Sequence, residues 1–416
     1  MQVNLKFMNR FTSIKIEDFN YPLPDERIAK YPLEQRDQSK LLFLHGKTIE
    51  EKRFSQLPTL LPAHSLLLFN ETRVIQARLL FNKKTGAAIE IFCLEPVEPS
   101  TDFQIALQQK PPVVWKCLVG HAKKWKQGKL EARLKVGDKE VVLVAEKLKK
   151  LNDAYLIQFT WEPEETFFSD ILESSGLTPL PPYLHREAEA ADKKRYQTIY
   201  AKLNGSVAAP TAGLHFTQKL LDELPNKGFE TEKIILHVGA GTFKPVSAEA
   251  IGDHQMHTEK IKISKESLEH LQDKLDQPII PVGTTSMRSL ESLFWMALRL
   301  YNHEGDFKIV GQWDPYSMNI PDDFTAKKAI QLLINHLEKE NKDYLEGQTQ
   351  LMIVPGYHFR FATGLITNFH QPKSTLLLLV SALIGNQWKD VYDFALLNNF
   401  RFLSYGDSCL FLPNPK

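Results

Sequence analysis

Four histidines are the residues of this chain best suited to moving protons. They are His215, His237, His257 and His370. Imidazole has an unperturbed pKa of about 6.5, so both of its forms are populated near neutrality and each ring could give or take a proton. Asp407 and Glu259 are carboxylates that could orient one of these rings. Sequence alone does not rank the four histidines as acid or base.

His215 ends the first polar segment, GSVAAPTAGLHF, which runs from residue 205 to 216. Its small residues allow a ligand to approach the backbone closely, and the histidine stands where a loop gives way to a helical pattern beginning at Thr217. These features favour a binding loop. The alternative is a tight loop whose histidine only bonds a backbone carbonyl.

The second segment, KIILHVGAGTFKPV, predicts a strand that ends at His237 and continues into Gly239, Gly241 and Thr242. Ligands of open α/β sheets bind at the carboxyl ends of strands, and glycines there make room for them. We therefore expect Gly239, Gly241 and Thr242 to contact a cofactor. The segment is not a full dinucleotide fingerprint, and a simple turn remains the alternative.

The third segment, HQMHTE, places His254, His257 and Glu259 within six residues. Such a cluster could bind a transition metal or transfer protons. Its spacing is neither the HExxH helix pattern nor that of a zinc ribbon, which favours proton transfer or substrate contact. We therefore predict no metal.

The fourth segment, GTTSMRSLES, places Thr284, Thr285 and Ser286 between an apolar strand and a helix N-terminus, with Arg288 in the first turn. Free N–H groups and the positive helix end favour a carboxylate or phosphate, with hydroxyl donors beside it. Arg288 could join that site or contact an RNA phosphate. Plain helix capping by Thr285 or Ser286 is compatible with either role.

Two further polar clusters follow strand-like runs near the C-terminus. LITNFHQPKST presents Asn368 and His370 just before a helix that Pro372 and Ser374 introduce, and SYGDS presents Asp407 in a turn. Each cluster could be structural by itself. Because they share a position at strand ends, we expect one pocket at the edge of the sheet.

The composition indicates a folded soluble protein that holds these segments on a regular scaffold. The 416 residues are 43% hydrophobic and 24% charged, with a formal net charge of +1 that neither requires nor excludes RNA. Cys93, Cys117 and Cys409 show no paired spacing, which fits a reducing cytoplasm. No signal peptide is recognisable, and the longest apolar run, residues 376 to 384, is too short to span a bilayer.

Hydrophobic periodicity predicts two kinds of domain in one chain. Short β-rich runs between residues 66 and 160 indicate a small barrel or sandwich. From about residue 205, strand candidates such as KIILHVG, PIIPVG and QLMIVPG alternate with helical stretches, which is typical of a layered α/β fold. One helix with a single buried face is expected from near Ser286, and another from Thr325 to Asn341.

The N-terminal piece is expected to pack against the C-terminal unit. The prediction is therefore a discontinuous α/β catalytic domain, residues 1–65 and 163–416, with an inserted β-barrel domain at residues 66–162.

Two basic segments could contact RNA. Lys123, Lys124, Lys126 and Lys129 flank Trp125, a combination that could bind phosphates and stack a base, although a solvated hairpin loop is the alternative. In DKKRYQTIY, residues 193 to 195 are cations close to the GSVAAPTAGLHF loop, where they could position an RNA backbone.

Taken in order, these motifs resemble the S-adenosylmethionine:tRNA ribosyltransferase-isomerase family. The matching segments are LPPYLHR, RYQTIYA, GSVAAPTAGLHFT, LHVGAGTFKPV, HQMHTE, GTTSMRSLES, PGYHF, LITNFHQPKSTLL and FRFLSYGDS, together with YPLPDERIAKYPLEQRDQSKLLFL and LLLFNETRVIQARL. The resemblance spans nearly the whole chain.

The resemblance implies transfer of the ribosyl part of S-adenosylmethionine to 7-aminomethyl-7-deazaguanine at the tRNA wobble position, giving epoxyqueuosine. It also implies an α/β domain with an inserted Greek-key β-barrel, and a cytoplasmic monomer without metal. The methionine carboxylate would lie at Thr284, Thr285 and Ser286, and residues 239 to 242 would contact the ribose or adenine.

The sequence departs from the usual motifs of this family at four positions. It reads NETRV, QARL and FHQPKST where NDTRV, PARL and FHLPRST are usual, which affects Glu71, Gln76, Gln371 and Lys373. The stretch between GTTSMRSLES and PGYHF is also longer, by about one helix and a loop. A non-catalytic or altered-substrate paralogue that binds tRNA or a nucleoside is therefore the alternative. A metal-dependent hydrolase is a further rival, disfavoured by the histidine spacing.

Overall fold

The computed structural model describes residues 10–83, 86–239, 246 and 248–414. The strands are β1 (Lys40–His45), β2 (Thr48–Arg53), β3 (Leu66–Asn70), β4 (Thr72–Val74), β5 (Arg78–Asn82), β6 (Ala88–Glu98), β7 (Val113–Val119), β8 (Leu130–Val136), β9 (Lys139–Lys150), β10 (Tyr155–Glu162), β11 (Leu203–Ser206), β12 (Glu230–His237), β13 (Glu259–Ser264), β14 (Ile279–Pro281), β15 (Ile309–Val310), β16 (Tyr344–Thr349), β17 (Leu365–Asn368) and β18 (Ser408–Leu412).

The helices are α1 (Leu57–Leu60), α2 (Phe103–Leu107), α3 (Phe168–Ser175), α4 (Asp192–Arg195), α5 (Gln218–Asn226), α6 (Lys265–Asp273), α7 (Thr284–Asn302), α8 (Asp314–Ser317), α9 (Ala326–Lys339), α10 (Thr375–Ile384) and α11 (Gln387–Leu397). Short 3-10 helices occur at Ile16–Phe19, Asp25–Arg27, Arg36–Gln38, Phe54–Gln56, Ala122–Lys124, Pro182–Leu184, Thr211–His215 and Ile251–Asp253.

Two sheets form the central layer of the α/β body. One has the strand order β17-β18-β1-β2 and the other the order β14-β3-β12-β13-β16-β15. A parallel bridge between Val282 and Ile366 joins them, and the Gly283 N–H donates to the Ile366 carbonyl at 2.7 Å. The N-terminal strand β1 runs parallel to β18, so the two ends of the chain meet in one sheet.

Strand direction brings the polar segments together. β12 and β14 both run parallel to β3, and the bridge sets β17 in the same direction, so the carboxyl ends of these strands lie at one edge. β18 is antiparallel to β17 with Asn368 opposite Ser408, which places its first residue at that same edge.

Helix α7 is the central helix of the body. Its sequence predicts one buried face, but the structure buries every residue from Ser286 to Leu298. The single-face prediction is wrong because α7 packs against both the sheet and helix α9. Helix α9 begins one residue after its cap, Thr325, whose side chain accepts from the Lys328 N–H, in agreement with the sequence prediction.

The predicted strand in QLMIVPG is also wrong, because strand β16 ends at Thr349. Residues 351–354 are buried but lie outside any ladder, and side chains satisfy their backbone groups. The Tyr316 hydroxyl donates to the Met352 carbonyl and accepts from the Val354 N–H, both at 3.0 Å, and Arg288 Nε donates to the Leu351 carbonyl at 3.1 Å.

The remaining large sheet is a nearly closed six-stranded barrel in residues 78–162. Its strand order is β5-β6-β7-β10-β9-β8, and the edge strands β5 and β8 contact each other. Buried aromatic side chains, including Trp115, Phe159 and Phe168, fill the interior. A mixed α/β fold with such a barrel agrees with the predicted fold class.

The barrel begins later than residue 66. Strand β3, Leu66–Asn70, pairs in parallel with β12 and β14 and therefore belongs to the body sheet. All five residues of β3 are buried, which is typical of a strand covered on both faces. In sequence alone, such a short apolar run could equally belong to a barrel. The division of the chain into independent domains stays a prediction.

Among the described residues, no helix is both long and apolar enough to cross a bilayer. The three cysteines are buried free thiols.

Candidate functional site

An open cavity of about 760 Å³, part of it continuous with solvent, lies at the carboxyl edge of β12, β14 and β17. Its lining comes from residues 208–212, Val238, residues 283–285, residues 367–371 and residues 403–404. These five segments and Tyr183 are remote from one another in sequence and meet in one place. This agrees with the expectation of one pocket at the sheet edge.

The N-terminus of α7 forms one wall. Gly283 precedes the helix with φ +94°, a conformation that glycine adopts without strain. The first helical bond is from the Met287 N–H to the Gly283 carbonyl, so the N–H groups before it have no partner within the helix. Thr284 and Thr285 line the cavity, and Thr285 Oγ1 is buried without a hydrogen-bond partner. This wall is suited to an anionic group.

Ser286 does not share this role. Its Oγ donates to the Val282 carbonyl at 2.8 Å and the residue is fully buried, so the hydroxyl serves the helix rather than the cavity. The predicted side-chain cap is also wrong, because Gly283 occupies the cap position and α7 has no side-chain capping bond.

The start of α10 forms part of the opposite wall. Ser374 caps this helix by accepting from the Leu377 N–H, and both Ser374 and Leu376 line the cavity. Two helix N-termini thus border the same space, and their dipoles favour an anionic group there without a charged side chain.

His370 is the one member of the predicted histidine pool that lines this cavity. Its Nε2 lies 3.0 Å from Thr367 Oγ1, and its backbone N–H donates to the Tyr392 hydroxyl at 3.0 Å. Burial lowers the pKa of His370 to about 3, so the imidazole is neutral at pH 7. A neutral ring held in this way can accept a proton.

His215 lies beside the cavity, in a smaller pocket that shares Ser404 with it. Its Nδ1 is 2.8 Å from Ser39 Oγ, and its Nε2 is buried without a partner. Burial lowers the pKa of His215 to about 4, against an opposing effect of the nearby Asn368 side chain. Asn368 lines the cavity and its Oδ1 also has no partner, so it lies between His215 and the cavity.

His237 faces a different cleft, formed with Phe103, Lys260 and Glu346 among others. Its ring centroid is 5.0 Å from that of Phe103, and a Cβ at Gly205 would lie 2.4 Å from the imidazole. Burial lowers the pKa of His237 to about 4. The expectation that His237 shares a cavity with Thr285 and His370 is therefore wrong, because its side chain points to the barrel side of the sheet end.

His257, Glu259 and Arg288 form a connected group. His257 Nε2 lies 3.1 Å from Glu259 Oε1, and Arg288 Nη1 donates to Glu259 Oε2 at 2.6 Å. Glu259 and Arg288 are buried, and neither they nor His257 line the cavity. Glu259 thus contacts an imidazole, but one that lies away from the cavity, and its role in orienting a catalytic ring stays a prediction. Arg288 donates from one guanidinium nitrogen to the same carboxylate. Its Nη2 is buried without a partner.

Asp407 has a structural environment. Its carboxylate accepts from the Lys40 and Arg401 backbone N–H groups at 3.0 and 2.8 Å and from Arg401 Nη2 at 3.1 Å. These bonds hold the turn before β18 against β1. The prediction that Asp407 orients a histidine finds no support among the described contacts.

Of the predicted glycine-rich contacts, Gly239 directly follows the cavity residue Val238. Gly241 and Thr242 lie outside the described residues.

Sequence reasoning missed several polar lining residues, three of which are Tyr183, Ser404 and Gln371. Tyr183 and Ser404 join their hydroxyls at 2.7 Å on the cavity wall, and burial raises the pKa of Tyr183 to about 12. Gln371 also lines the cavity. All three lie in motifs that were recognised, but position alone could not separate lining residues from their neighbours.

The other departures from the usual motifs lie elsewhere. Gln76 Oε1 accepts from Thr178 Oγ1 at 2.9 Å, and Lys373 pairs with Glu17 at 2.6 Å near the surface. Glu71 Oε2 is buried without a hydrogen bond, 3.9 Å from Lys233 Nζ.

The two basic segments differ in which side chains are available for contact with RNA. Trp125 is fully buried and donates from Nε1 to the Gly128 carbonyl at 2.9 Å, so it cannot stack a base. Arg195 is occupied by the Leu33 and Glu34 carbonyls, whereas Lys193 and Lys194 are exposed.

Within the described part of the chain, no three His, Cys, Asp or Glu side chains are grouped as metal ligands. The fold and the cavity are those of an α/β protein whose sheet has, at its carboxyl edge, a cavity suited to a small ligand with an anionic group.

Comparison with known proteins identifies the family. The sequence profile of a family described as queuosine biosynthesis protein matches residues 16–411. A protein from Desulfitobacterium hafniense named S-adenosylmethionine:tRNA ribosyltransferase-isomerase is 38% identical over 96% of this chain and 100% of its own length. One of the same name from Halothermothrix orenii is 36% identical over the same shares. The chain belongs to this queuosine biosynthesis family, and the resemblance seen in its motifs is confirmed.

A solved structure titled S-adenosylmethionine tRNA ribosyltransferase, from Thermotoga maritima, is 27% identical and covers 94% of this chain and 99% of that one, with a TM-score of 0.44.

Proposed function

We propose that this protein transfers and isomerises the ribosyl group of S-adenosylmethionine onto 7-aminomethyl-7-deazaguanine at the wobble position of tRNA. The products are epoxyqueuosine-tRNA, adenine and methionine. One observation carries the proposal: two helix N-termini, the buried His370 imidazole and the unpartnered Thr285 hydroxyl belong to a single cavity. Membership of the family supports the same reaction.

The N-terminus of α7 is suited to the methionine carboxylate of the co-substrate. The free N–H groups and the Thr285 hydroxyl would donate to that carboxylate, and the positive helix end would add a favourable charge interaction. No cationic side chain lines this cavity within the described residues. The sulfonium of S-adenosylmethionine therefore meets no competing positive side chain there.

Three demands define the chemistry. A base must remove a hydrogen from the ribose C5′ beside the sulfonium, a proton must reach a departing adenine nitrogen, and methionine must leave from the sulfonium. His370 is our candidate for the base, because it is the one imidazole of the four that lines the cavity with the N-terminus of α7. The resulting imidazolium would then hold the proton that adenine needs. His215 would act indirectly, by fixing Asn368 against the ligand.

The same proposal includes a cytoplasmic monomer that needs no metal. The sulfonium is already a good leaving group, so the reaction does not call for a Lewis acid.

The deciding experiment is to incubate the protein with S-adenosylmethionine and tRNA that carries the deazaguanine precursor. We expect stoichiometric adenine and methionine, together with a mass gain on the wobble nucleoside. The matched control is the same tRNA with guanine at that position. RNA binding without adenine release would favour the binding paralogue, and adenine release only with another base would favour an altered substrate.

A further inference from the structure

One end of the barrel is rich in lysine. The antiparallel register sets Val119 opposite Ile91 and sets Tyr155 opposite both Cys117 and Lys150. The loops β5–β6, β7–β8 and β9–β10 therefore all lie at one end. The chain enters the barrel at β5 and leaves it at β10 from the opposite end, so this end points away from the body.

We define the lysine end as the exposed lysines of these loops and of the last residues of β9. They are Lys123, Lys124, Lys126, Lys129, Lys149 and Lys150. Lys129 pairs with Glu146 at 3.1 Å, and the other acidic side chains near this end include Glu90, Glu131 and Asp153. Cations therefore predominate locally, although the whole chain carries a net charge of only +1.

The β7–β8 loop is ordered by a buried side chain. The Trp125 side chain is fully buried in the barrel core. Lys147 Nζ lies 4.5 Å from the centroids of both the Trp125 and the Tyr155 rings. Lys147 also donates to the Trp125 carbonyl, and Lys83 donates to the Lys124 carbonyl at 2.9 Å. These internal bonds fix the loop, so its exposed lysines project from a rigid support.

We propose that the lysine end binds the phosphate backbone of the RNA substrate, at nucleotides remote from the base that enters the cavity. The inference rests on the proposed function, which makes the substrate a tRNA. Lysine ammonium groups contact phosphates as point charges without reading sequence. Leu80 and Leu148 are the large apolar side chains exposed on this half of the described barrel, and two isolated side chains give little support to insertion into a membrane.

The test compares the variant Lys123→Ser/Lys124→Ser/Lys126→Ser with the variant Lys219→Ser/Lys327→Ser/Lys339→Ser, which removes three exposed lysines from the body. Binding of unmodified tRNA is measured between 50 and 200 mM salt. Three lost phosphate contacts should weaken binding at least roughly 10-fold at the low salt and reduce the slope of log K against log salt by about 2. The body variant should behave like the wild type.

A second variant, Lys149→Ser/Lys150→Ser, tests the same surface from another strand and should show a smaller loss of affinity and of slope. Equal tRNA affinity in barrel and body variants overturns the proposal, and so does a loss confined to anionic lipid vesicles. Thermal unfolding of each variant shows whether it is folded. In adenine-release assays the barrel variants should raise KM for tRNA and leave kcat unchanged. Because tRNA binding is measured without turnover, failure of the proposed reaction is distinguishable from failure of this surface.

Discussion

The body cavity and the lysine end present polar groups in opposite ways. In the cavity the polar atoms are buried and uncharged, as with Thr285 Oγ1, Asn368 Oδ1 and the His370 ring. On the barrel the groups are charged and exposed. Buried hydrogen-bond donors and helix ends discriminate by geometry and are weakly screened by salt, whereas exposed lysines attract any polyanion and are strongly screened. The body cavity is therefore suited to selecting a small ligand, and the lysine end to attracting an extended polyanion.

Replacing His370 with Gln should give the largest effect on turnover. If turnover did not fall, the assignment of the chemistry to the body cavity would be wrong. Loss of a positioned base should lower the rate of adenine release about 100-fold or more, while tRNA affinity and its salt dependence stay unchanged. The measurement is kcat under saturating substrates. His303→Asn, at an exposed histidine with φ +56°, is the matched control. A kcat near that of the wild type in His370→Gln would remove the histidine from the mechanism.

Thr285→Val should have an intermediate effect. The hydroxyl has no partner in the structure, so its loss should not lower stability, but KM for S-adenosylmethionine should rise roughly 10-fold because a bond to a charged group is lost. Ser286→Ala is the control, since that hydroxyl bonds only within the helix region and its removal should leave KM unchanged. If both variants raised KM equally, the assignment of the α7 wall would be wrong.

The pH dependence of stability should sharpen the comparison from the side of the buried histidines. Burial lowers the pKa of His215 and His237 to about 4 and of His370 to about 3. The unfolded chain binds protons at these rings below pH 6.5 while the native chain does not. Stability is therefore full above pH 6.5 and is lost as pH falls toward 4, by at most about 1.4 kcal/mol per pH unit for each histidine.

Urea unfolding of the wild type and of His237→Gln at pH 7 and pH 5 would measure this loss. The variant should lose less stability between the two pH values. An identical loss would show that His237 is not held neutral in the native protein.

Much of the site could be predicted because strand ends and helix starts have local signals. Polar residues placed directly after apolar strand patterns were expected to meet at one sheet edge. These residues are Thr284, Thr285, Asn368 and His370. The helix caps Thr217, Thr325 and Ser374 were also readable, since each supplies the side-chain oxygen that a helix N-terminus needs.

What could not be predicted depends on side-chain direction and on long-range pairing. His237 ends a strand of the correct sheet, yet its ring turns toward Phe103 instead of the cavity. Asp407 has a typical catalytic residue type, but the backbone N–H groups of Lys40 and Arg401 use its oxygens. The sequence predicts β3 as part of the barrel, because a five-residue apolar run does not show which strands it pairs with.

The position of β18 bears on the order in which the molecule can be built during translation. This strand lies between β17 and β1 and follows Ser404, which lines the cavity, yet the ribosome makes it after every other strand described. The barrel, by contrast, has all of its strands once residue 162 has emerged, and Phe168, which helps to fill its interior, follows six residues later. A nascent chain could therefore carry a finished barrel long before its ligand cavity exists.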